Sequence, residues 1–403
     1  MSVKIISSTK RKFTALTKKI PPETFSGTSF VNALYFSDMR VEYVYENELH
    51  KDRDYIFLYE PQWTEAYGRK GYEQVFKNAI SEIPKSIKEK LNEYNIKIVI
   101  STINEPWGIH PYDILKPNFR ACIREKIPQN KCLYLVGNQS IFNDLKSQGI
   151  RDLVRVINYW SFHYYSPDWL RKIETTKPKK LDKHFVCLNR TIKTHRTALL
   201  FYLYENNLLD KGYVTFYPSV NEMNYFKHNS VHEPEYHYNE ELFSKVDKLL
   251  PLKMDTEKVD PNSDNPTYYQ AAKRIEKVFQ NSFMNVVTET WTSNKFLFLS
   301  EKMYKPIYLK QPFLVVGNPY TIKYLRDNGF DVFDDIFDHS YDEELDENKR
   351  LRMVVDVIKK ICNKPLVELS ETLHTLEDRL EKNRKHFFHT YMPKQKNLLK
   401  AIV

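Results

Sequence analysis

Two groups of residues, one near position 190 and one near position 300, have types and spacings that could do chemistry. The first is Leu188-Asn189-Arg190, followed by Lys193, His195 and Arg196. It sits where an apolar run gives way to a helical pattern. Cations at a helix start oppose its dipole. Their presence there calls for an anion, held by guanidinium groups and free backbone N–H groups. The plainer alternative is a basic helix start on the surface. The second group is Thr288-Glu289-Thr290, again just after an apolar run, with Ser300-Glu301-Lys302-Met303-Tyr304-Lys305-Pro306 a short distance on. Ser300 has N-cap chemistry. That puts Glu301 and Lys302 in a first helical turn, with Lys305 close behind. A carboxylate in that place can accept two ribose hydroxyls, and an ammonium can neutralise a diphosphate leaving group. An isolated Glu–Lys pair would be ordinary surface. A position after a strand, beside a second basic cluster, favours a site.

A third pattern occurs twice in the first half. Tyr59-Glu60-Pro61-Gln62-Trp63 and Ile103-Asn104-Glu105-Pro106-Trp107 each follow a strand-like run. Each offers a carboxylate that could take a proton as general base and a Trp that could stack on a sugar or base. Asn104 could orient the bound group. Proline ending a strand and Trp packing in a core is the competing reading, and the repetition favours function. Glu105 is preferred to Glu60 because its strand has the longer β-branched run. Asp38, His110 and Asp113 are weaker candidates. Asp52-Arg53-Asp54 has the form of a metal-binding D-x-D, but it precedes its strand and reads as a loop. His228, His232 and His237 lie in an irregular polar segment and read as solvated side chains. No metal site is expected.

These residues need a scaffold that delivers strand ends to one place. A chain of 403 residues exceeds one ordinary core and suits two. Its 41% hydrophobic and 28% charged content is globular. Only nine glycines are present, and no glycine-rich phosphate-loop pattern occurs. The four cysteines form no C-x-x-C, so neither a zinc knuckle nor a disulfide framework is indicated, and a reducing compartment is expected. The N-terminal residues lack an apolar leader and no run reaches membrane-span length, which implies a cytoplasmic protein. The net charge of +9 suits a polyanion partner or diphosphate pockets on a solvated surface.

Short apolar runs alternate with helical patterns, the sign of α/β architecture with parallel sheets. Strands are expected at 55–59, 96–100, 133–136 and 154–159, with a helical pattern over 71–94 broken by Pro84. A Lys- and Pro-rich stretch over 172–183 reads as a linker. The second half predicts strands at 185–188, 213–217, 284–287 and 313–316. It predicts helices at 194–209, from about Ser300, and at 320–328, where Gly329 has the C′ position. Residues 219–265 read as a long polar loop with one short helix, and the chain from Asp346 onward as mostly helical.

The runs Asn285-Val286-Val287-Thr288-Glu289-Thr290, Ser300 to Ile307, Gln311-Pro312-Phe313-Leu314-Val315-Val316-Gly317, Tyr324 to Phe330 and Ser340-Tyr341-Asp342 resemble a bacterial and viral, phage-type family of glycosyltransferases. The same half is more distantly similar to the donor-binding half of fucosyltransferases. There a Glu-Lys pair opens a helix over the nucleotide, and an upstream arginine, matched here by Arg190, contacts the diphosphate. In that pattern Thr-Glu-Lys is contiguous; here an aromatic insert around Trp291 separates Thr288-Glu289 from Glu301-Lys302. The resemblance implies a GT-B arrangement: two Rossmann-like domains with parallel sheets facing across a cleft, 1–175 for the acceptor and 176–385 for the donor, with 386–403 a C-terminal helix returning to the first. It implies a UDP- or GDP-linked sugar as co-substrate and no resident cofactor. Asn189, Arg190, Lys193, Arg196, Thr288, Glu289, Ser300, Glu301, Lys302 and Lys305 are the expected donor residues. Trp63, Asn104 and Trp107 are expected on the acceptor side. The acceptor is read as a hydroxymethylated pyrimidine in phage or viral DNA, or as a glycan or glycolipid. A nucleotide- or nucleic-acid-binding module without catalysis is the reading from outside enzymology.

Overall fold

The structure is a computed structural model. It describes residues 2–7, 40–59, 79–102, 111–140, 154–157, 175, 180–189, 192–216, 244–245, 248–250, 252 and 277–400. The chain divides into two compact units. The first comprises residues 1–163, 295–298 and 392–403, and the second 164–294 and 299–391.

The first unit is built on six parallel strands: β1 (Ser2–Ser7), β2 (Arg40–Tyr45), β3 (Asp54–Tyr59), β4 (Asn95–Thr102), β5 (Cys132–Val136) and β6 (Val154–Val156), in the order β2-β1-β3-β4-β5-β6. Helices α1 (Ala79–Glu82), α2 (Lys85–Lys90) and α3 (Pro111–Arg124) connect them. Ile96, Ile98, Val99 and Ile100 of β4 are all buried, so this strand is covered on both faces, as in parallel sheets packed by helices. Ile80, Ile83, Ile87 and Leu91 bring α1 and α2 onto the core shared with Tyr55, Phe57, Ile98 and Tyr134. Pro84 splits that helical pattern, because the residue before a proline is pushed out of the helical region; α2 begins directly after it. The sequence reading lacks β1 and β2. Val3, Ile5 and Ile6 are buried, but the run is too short and too polar at its ends to stand out without its neighbours.

The second unit carries four parallel strands: β7 (Lys183–Asn189), β8 (Gly212–Phe216), β9 (Ser282–Thr288) and β10 (Phe313–Val316), in the order β10-β9-β7-β8. Every residue of β9 and β10 is buried. The helices are α4 (Thr194–Glu205), α5 (Glu301–Tyr308), α6 (Thr321–Asp327), α7 (Glu347–Cys362), α8 (Leu366–Thr375) and α9 (Glu377–His386). A π turn (Phe387–Tyr391) follows, and α10 (Met392–Lys400) belongs to the first unit. Gly329 takes φ +88° after α6, the left-handed C′ position that a side chain resists. The linker reading for 172–183 ends inside β7, since Lys183 is already its first residue.

The two sheets share one topological property. From β7 the chain builds β8 on one side, then returns to place β9 on the other. Connections leaving the carboxyl ends of β7 and β9 therefore diverge, which makes that edge the switch point at which α/β sheets hold ligands. The first sheet reverses in the same way between β1 and β3.

Among the described residues, no helix is long and apolar enough to cross a membrane. All four cysteines are buried free thiols.

Candidate functional site

The carboxyl ends of β7 and β9 are tied together by side chains. Asn189 ends β7, and its Oδ1 accepts from Thr288 Oγ1 at the end of β9. Its backbone N–H donates to Thr215 Oγ1 at 3.2 Å, on β8. Three strand ends are thus fixed through one buried amide and two hydroxyls.

The start of α4 adds two more braces. Arg196 is buried, and its Nη2 donates to the carbonyls of Glu289 (3.1 Å) and Thr288 (3.4 Å). Its guanidinium is turned to the end of β9. His195 Nε2 donates to the same Glu289 carbonyl at 2.9 Å. Burial holds the His195 imidazole well below its ordinary value, and the Arg196 guanidinium beside it acts in the same direction. A neutral ring and a guanidinium spent on carbonyls explain how α4 tolerates a basic first turn. Lys193, the residue before α4, reaches the same segment two residues further on. Its Nζ lies 4.8 Å from the Trp291 ring centroid, a cation–π distance. The segments that follow β7 and β9 therefore converge.

The neutral histidine has a measurable consequence. An unfolded histidine takes up a proton near pH 6.5, and the folded protein refuses it until lower pH. The stability tied to His195 is complete above that pH and is lost as pH falls below it. His195→Gln, whose amide can still donate to the Glu289 carbonyl, removes this dependence. Between about pH 6.5 and about pH 5, wild-type stability in urea should fall more steeply than that of the variant, by up to about 1.4 kcal/mol per pH unit. Parallel slopes would show that His195 titrates normally in the folded state.

Glu289 is fully buried and forms the hub between β9 and α5. One carboxylate oxygen accepts the Ser300 N–H at 3.0 Å. The other accepts the Ser300 hydroxyl and the Thr290 N–H at 3.3 Å. Burial pushes the Glu289 carboxyl above its usual value, and Lys302 and Ser300 offset only part of that. Gly317, just past β10, abuts this side chain: a β carbon there would lie 3.3 Å from Glu289 Cγ. Ser300 is the N-cap of α5 as expected, its Oγ accepting the Lys302 N–H at 3.3 Å. The chain Glu289–Ser300–Lys302 sets the direction in which α5 starts.

Lys302 Nζ donates to Glu301 Oε1 (3.0 Å), Ser300 Oγ (3.3 Å) and Thr290 Oγ1 (3.3 Å). Its side chain keeps 29% exposure and that of Glu301 20%, so both are held yet reachable from solvent. Burial pushes the Glu301 carboxyl up, but Lys302 and Lys305 outweigh it and the group lies below its usual value. Lys305 is lowered, by burial first, against the opposing pull of Glu301. A carboxylate kept ionised and two ammonium groups share the first turns of one helix.

The structure therefore brings Asn189, Lys193, Arg196, Thr288, Glu289, Ser300, Glu301, Lys302 and Lys305 to one edge of the second sheet. Arg190, Glu60, Trp63, Asn104, Glu105 and Trp107 lie outside the described residues, as do Asp38, His110 and the three histidines His228, His232 and His237. The side chain of Asp113 does too. Asp52 and Arg53 form an exposed turn before β3, and Asp54 is its exposed first residue. Among the described residues, no group of three or more His, Cys, Asp or Glu is placed to hold a metal ion. Arg350 braces the same region from α7. It is buried and donates to the carbonyls of Thr292, Gly317 (3.2 Å) and Glu344 (2.6 Å), locking the segments after β9 and β10. A lone arginine within a helical pattern gives no sign of such distant carbonyl partners.

No family model and no curated protein matches the chain. Among solved structures it is similar to an alpha-glucosyltransferase in complex with UDP and a 13-mer DNA containing an HMU base, at 13% identity and a TM-score of 0.43, covering 99% of each chain. It is also similar to a glycosyltransferase from Rickettsia africae ESF-5, at 10% identity and a TM-score of 0.39, covering 99% of this chain and 98% of the other.

Proposed function

We propose that the chain is a glycosyltransferase of the GT-B type that binds the nucleoside diphosphate of a sugar donor at the carboxyl edge of its second sheet. The observation that carries this reading is the placement of Lys302 and Glu301. A buried carboxylate, a capping serine and one threonine, Thr290, hold this ammonium–carboxylate pair beside the β7/β9 switch point, with Lys193 on the facing segment. Lys302, Lys193 and Arg190 take the diphosphate, and Glu301 the ribose hydroxyls. Asn189, Arg196, Thr288, Glu289 and Ser300 hold the frame, and Arg196 acts through β9 rather than on phosphate. Lys305 adds positive potential. The co-substrate is a UDP- or GDP-linked sugar.

In the transfer, the bond from the sugar C1 to the diphosphate oxygen breaks, and the acceptor oxygen takes its place. The charge left on the diphosphate is met by Lys302 and its basic neighbours. We assign the proton of the acceptor hydroxyl to Glu105, with Glu60 as the alternative. Turnover by Glu105→Gln and Glu60→Gln separates the two, and two unaffected variants would remove both. Trp63, Asn104 and Trp107 are proposed to receive the acceptor.

For the acceptor we favour a hydroxymethylated pyrimidine in DNA. The support is the net charge of +9 and the 14% aromatic content, which suit phosphate contacts and an extruded base. A panel of nucleotide sugars in thermal shift, then turnover of the best binder on DNA and glycan acceptors, tests both levels. Turnover on glycan alone would move the acceptor assignment to a glycan or glycolipid. Donor binding without turnover or hydrolysis on either would leave a binding module.

The leaving group is met by side-chain cations in this reading, so activity should survive EDTA. Turnover within about twofold of the untreated enzyme is expected, since no term in the barrier is assigned to a metal. Loss of turnover that magnesium or manganese restores would overturn metal independence.

A further inference from the structure

Five residues other than glycine have positive φ among the described residues: Lys126, Asn207, Lys310, Phe333 and Tyr320. The first three follow α3, α4 and α5, the usual left-handed position at a helix end. Phe333 is buried in the core. Tyr320 fits neither case. It precedes α6, has φ +65° and ψ +14°, and is 43% exposed. A tyrosine in this conformation costs free energy that glycine or asparagine would spare, and its exposed ring recovers little of it by packing.

The surrounding loop is firmly braced. The Tyr320 N–H donates to the Asp342 carbonyl at 2.7 Å. The buried Asp342 carboxylate accepts the N–H groups of Ile322 and Lys323, both at 2.9 Å. Asn318 Nδ2 donates to the Ser293 carbonyl at 2.7 Å, and the Thr321 hydroxyl to the Asn318 carbonyl at 2.7 Å. Arg350 holds the Gly317 carbonyl. Strain maintained by so much support, around an exposed aromatic ring, points to a ligand contact.

We propose that Tyr320 is the stacking platform for the nucleobase of the donor, an inference that rests on the donor reading above. The order along the sheet edge supports it. Lys193 follows β7, Lys302 and Glu301 open the helix between β9 and β10, and Tyr320 follows β10, the next strand outward. A diphosphate between Lys193 and Lys302, a ribose at Glu301 and a base at Tyr320 follow the order of the groups in a nucleotide. The loop leaves the sheet at Gly317, against Glu289, so it is continuous with the donor residues. A flat exposed ring can stack on any base.

The test is calorimetric titration of UDP, GDP and inorganic pyrophosphate into the wild type and into Tyr320→Gly, Tyr320→Ala and Tyr320→Trp. Glycine accepts the left-handed backbone, so Tyr320→Gly removes the ring without straining the loop, and its melting temperature should not fall. Nucleoside diphosphate affinity should weaken about tenfold or more in the Gly and Ala variants and recover in the Trp variant, with pyrophosphate affinity unchanged. Unchanged UDP and GDP affinity in Tyr320→Gly would overturn the inference. So would equal losses for pyrophosphate and nucleotide, which would make the loop a phosphate support. Unchanged nucleotide affinity with a raised KM for the nucleotide sugar would place the ring on the sugar instead. A wild type that binds no nucleoside diphosphate would overturn the donor reading itself, and this inference with it.

Discussion

Glu289→Ala is expected to lower the stability of the protein by about 2–4 kcal/mol and to remove nucleotide binding from the fraction that stays folded. The Ser300 N–H and hydroxyl both depend on this carboxylate, and Ser300 is itself buried. A buried donor left unsatisfied costs about 1–3 kcal/mol, and two are stranded together. Some of that loss is returned, because burial already pushes the Glu289 carboxyl up and its removal takes a charge out of the interior. Glu289→Gln separates the two effects. The amide keeps an oxygen for the Ser300 N–H and the shape that meets Gly317, so its stability should stay nearer to wild type. Denaturant unfolding of both variants checks this. A change below about 1 kcal/mol for Glu289→Ala would mean that Ser300 finds another acceptor, and that Glu289 does not set the start of α5.

Lys302→Ala should behave in the opposite manner, leaving the fold and impairing the reaction. The side chain is partly exposed, Glu301 can turn to water, and buried Ser300 keeps its bonds to Glu289 and to the backbone N–H of residue 302, so stability should change by less than about 1 kcal/mol. The loss of a charge-assisted contact to a diphosphate is worth about 1.5–3 kcal/mol. That converts to a fall of about tenfold to a hundredfold in kcat/KM for the nucleotide sugar. A rise in KM alone would assign Lys302 to ground-state binding; a fall in kcat as well would assign it to the departing diphosphate. Unchanged kcat/KM would remove Lys302 from the donor site.

The sequence made some of this legible and hid the rest for identifiable reasons. β3 and β10 carry unbroken apolar runs, and β4 and β9 carry runs broken once, by Lys97 and by Asn285, because these strands are covered on both faces over most of their length. β1 and β2 need the sheet around them to be recognised. Ser300, Glu301 and Lys302 could be read because an N-cap and its first turn are adjacent in sequence. Asn189 and Thr288 could be placed because both end strands. Arg196 shows where such reading stops: its type announces an anion site, but its partners are two carbonyls at the end of another strand. Asp342 and Arg350 are hidden similarly, since each serves a distant loop. The left-handed backbone of Tyr320 is set by the bonds around it, and a tyrosine in the sequence gives no sign of it.

The most direct measurement is calorimetric titration of UDP and GDP into the wild-type protein, repeated with Lys302→Ala. Saturable one-to-one binding of at least one nucleotide is expected, weakened by salt and weakened about tenfold or more in the variant. No saturable heat with either nucleotide, or equal affinity in both proteins, would contradict a nucleoside diphosphate site at the carboxyl edge of the second sheet.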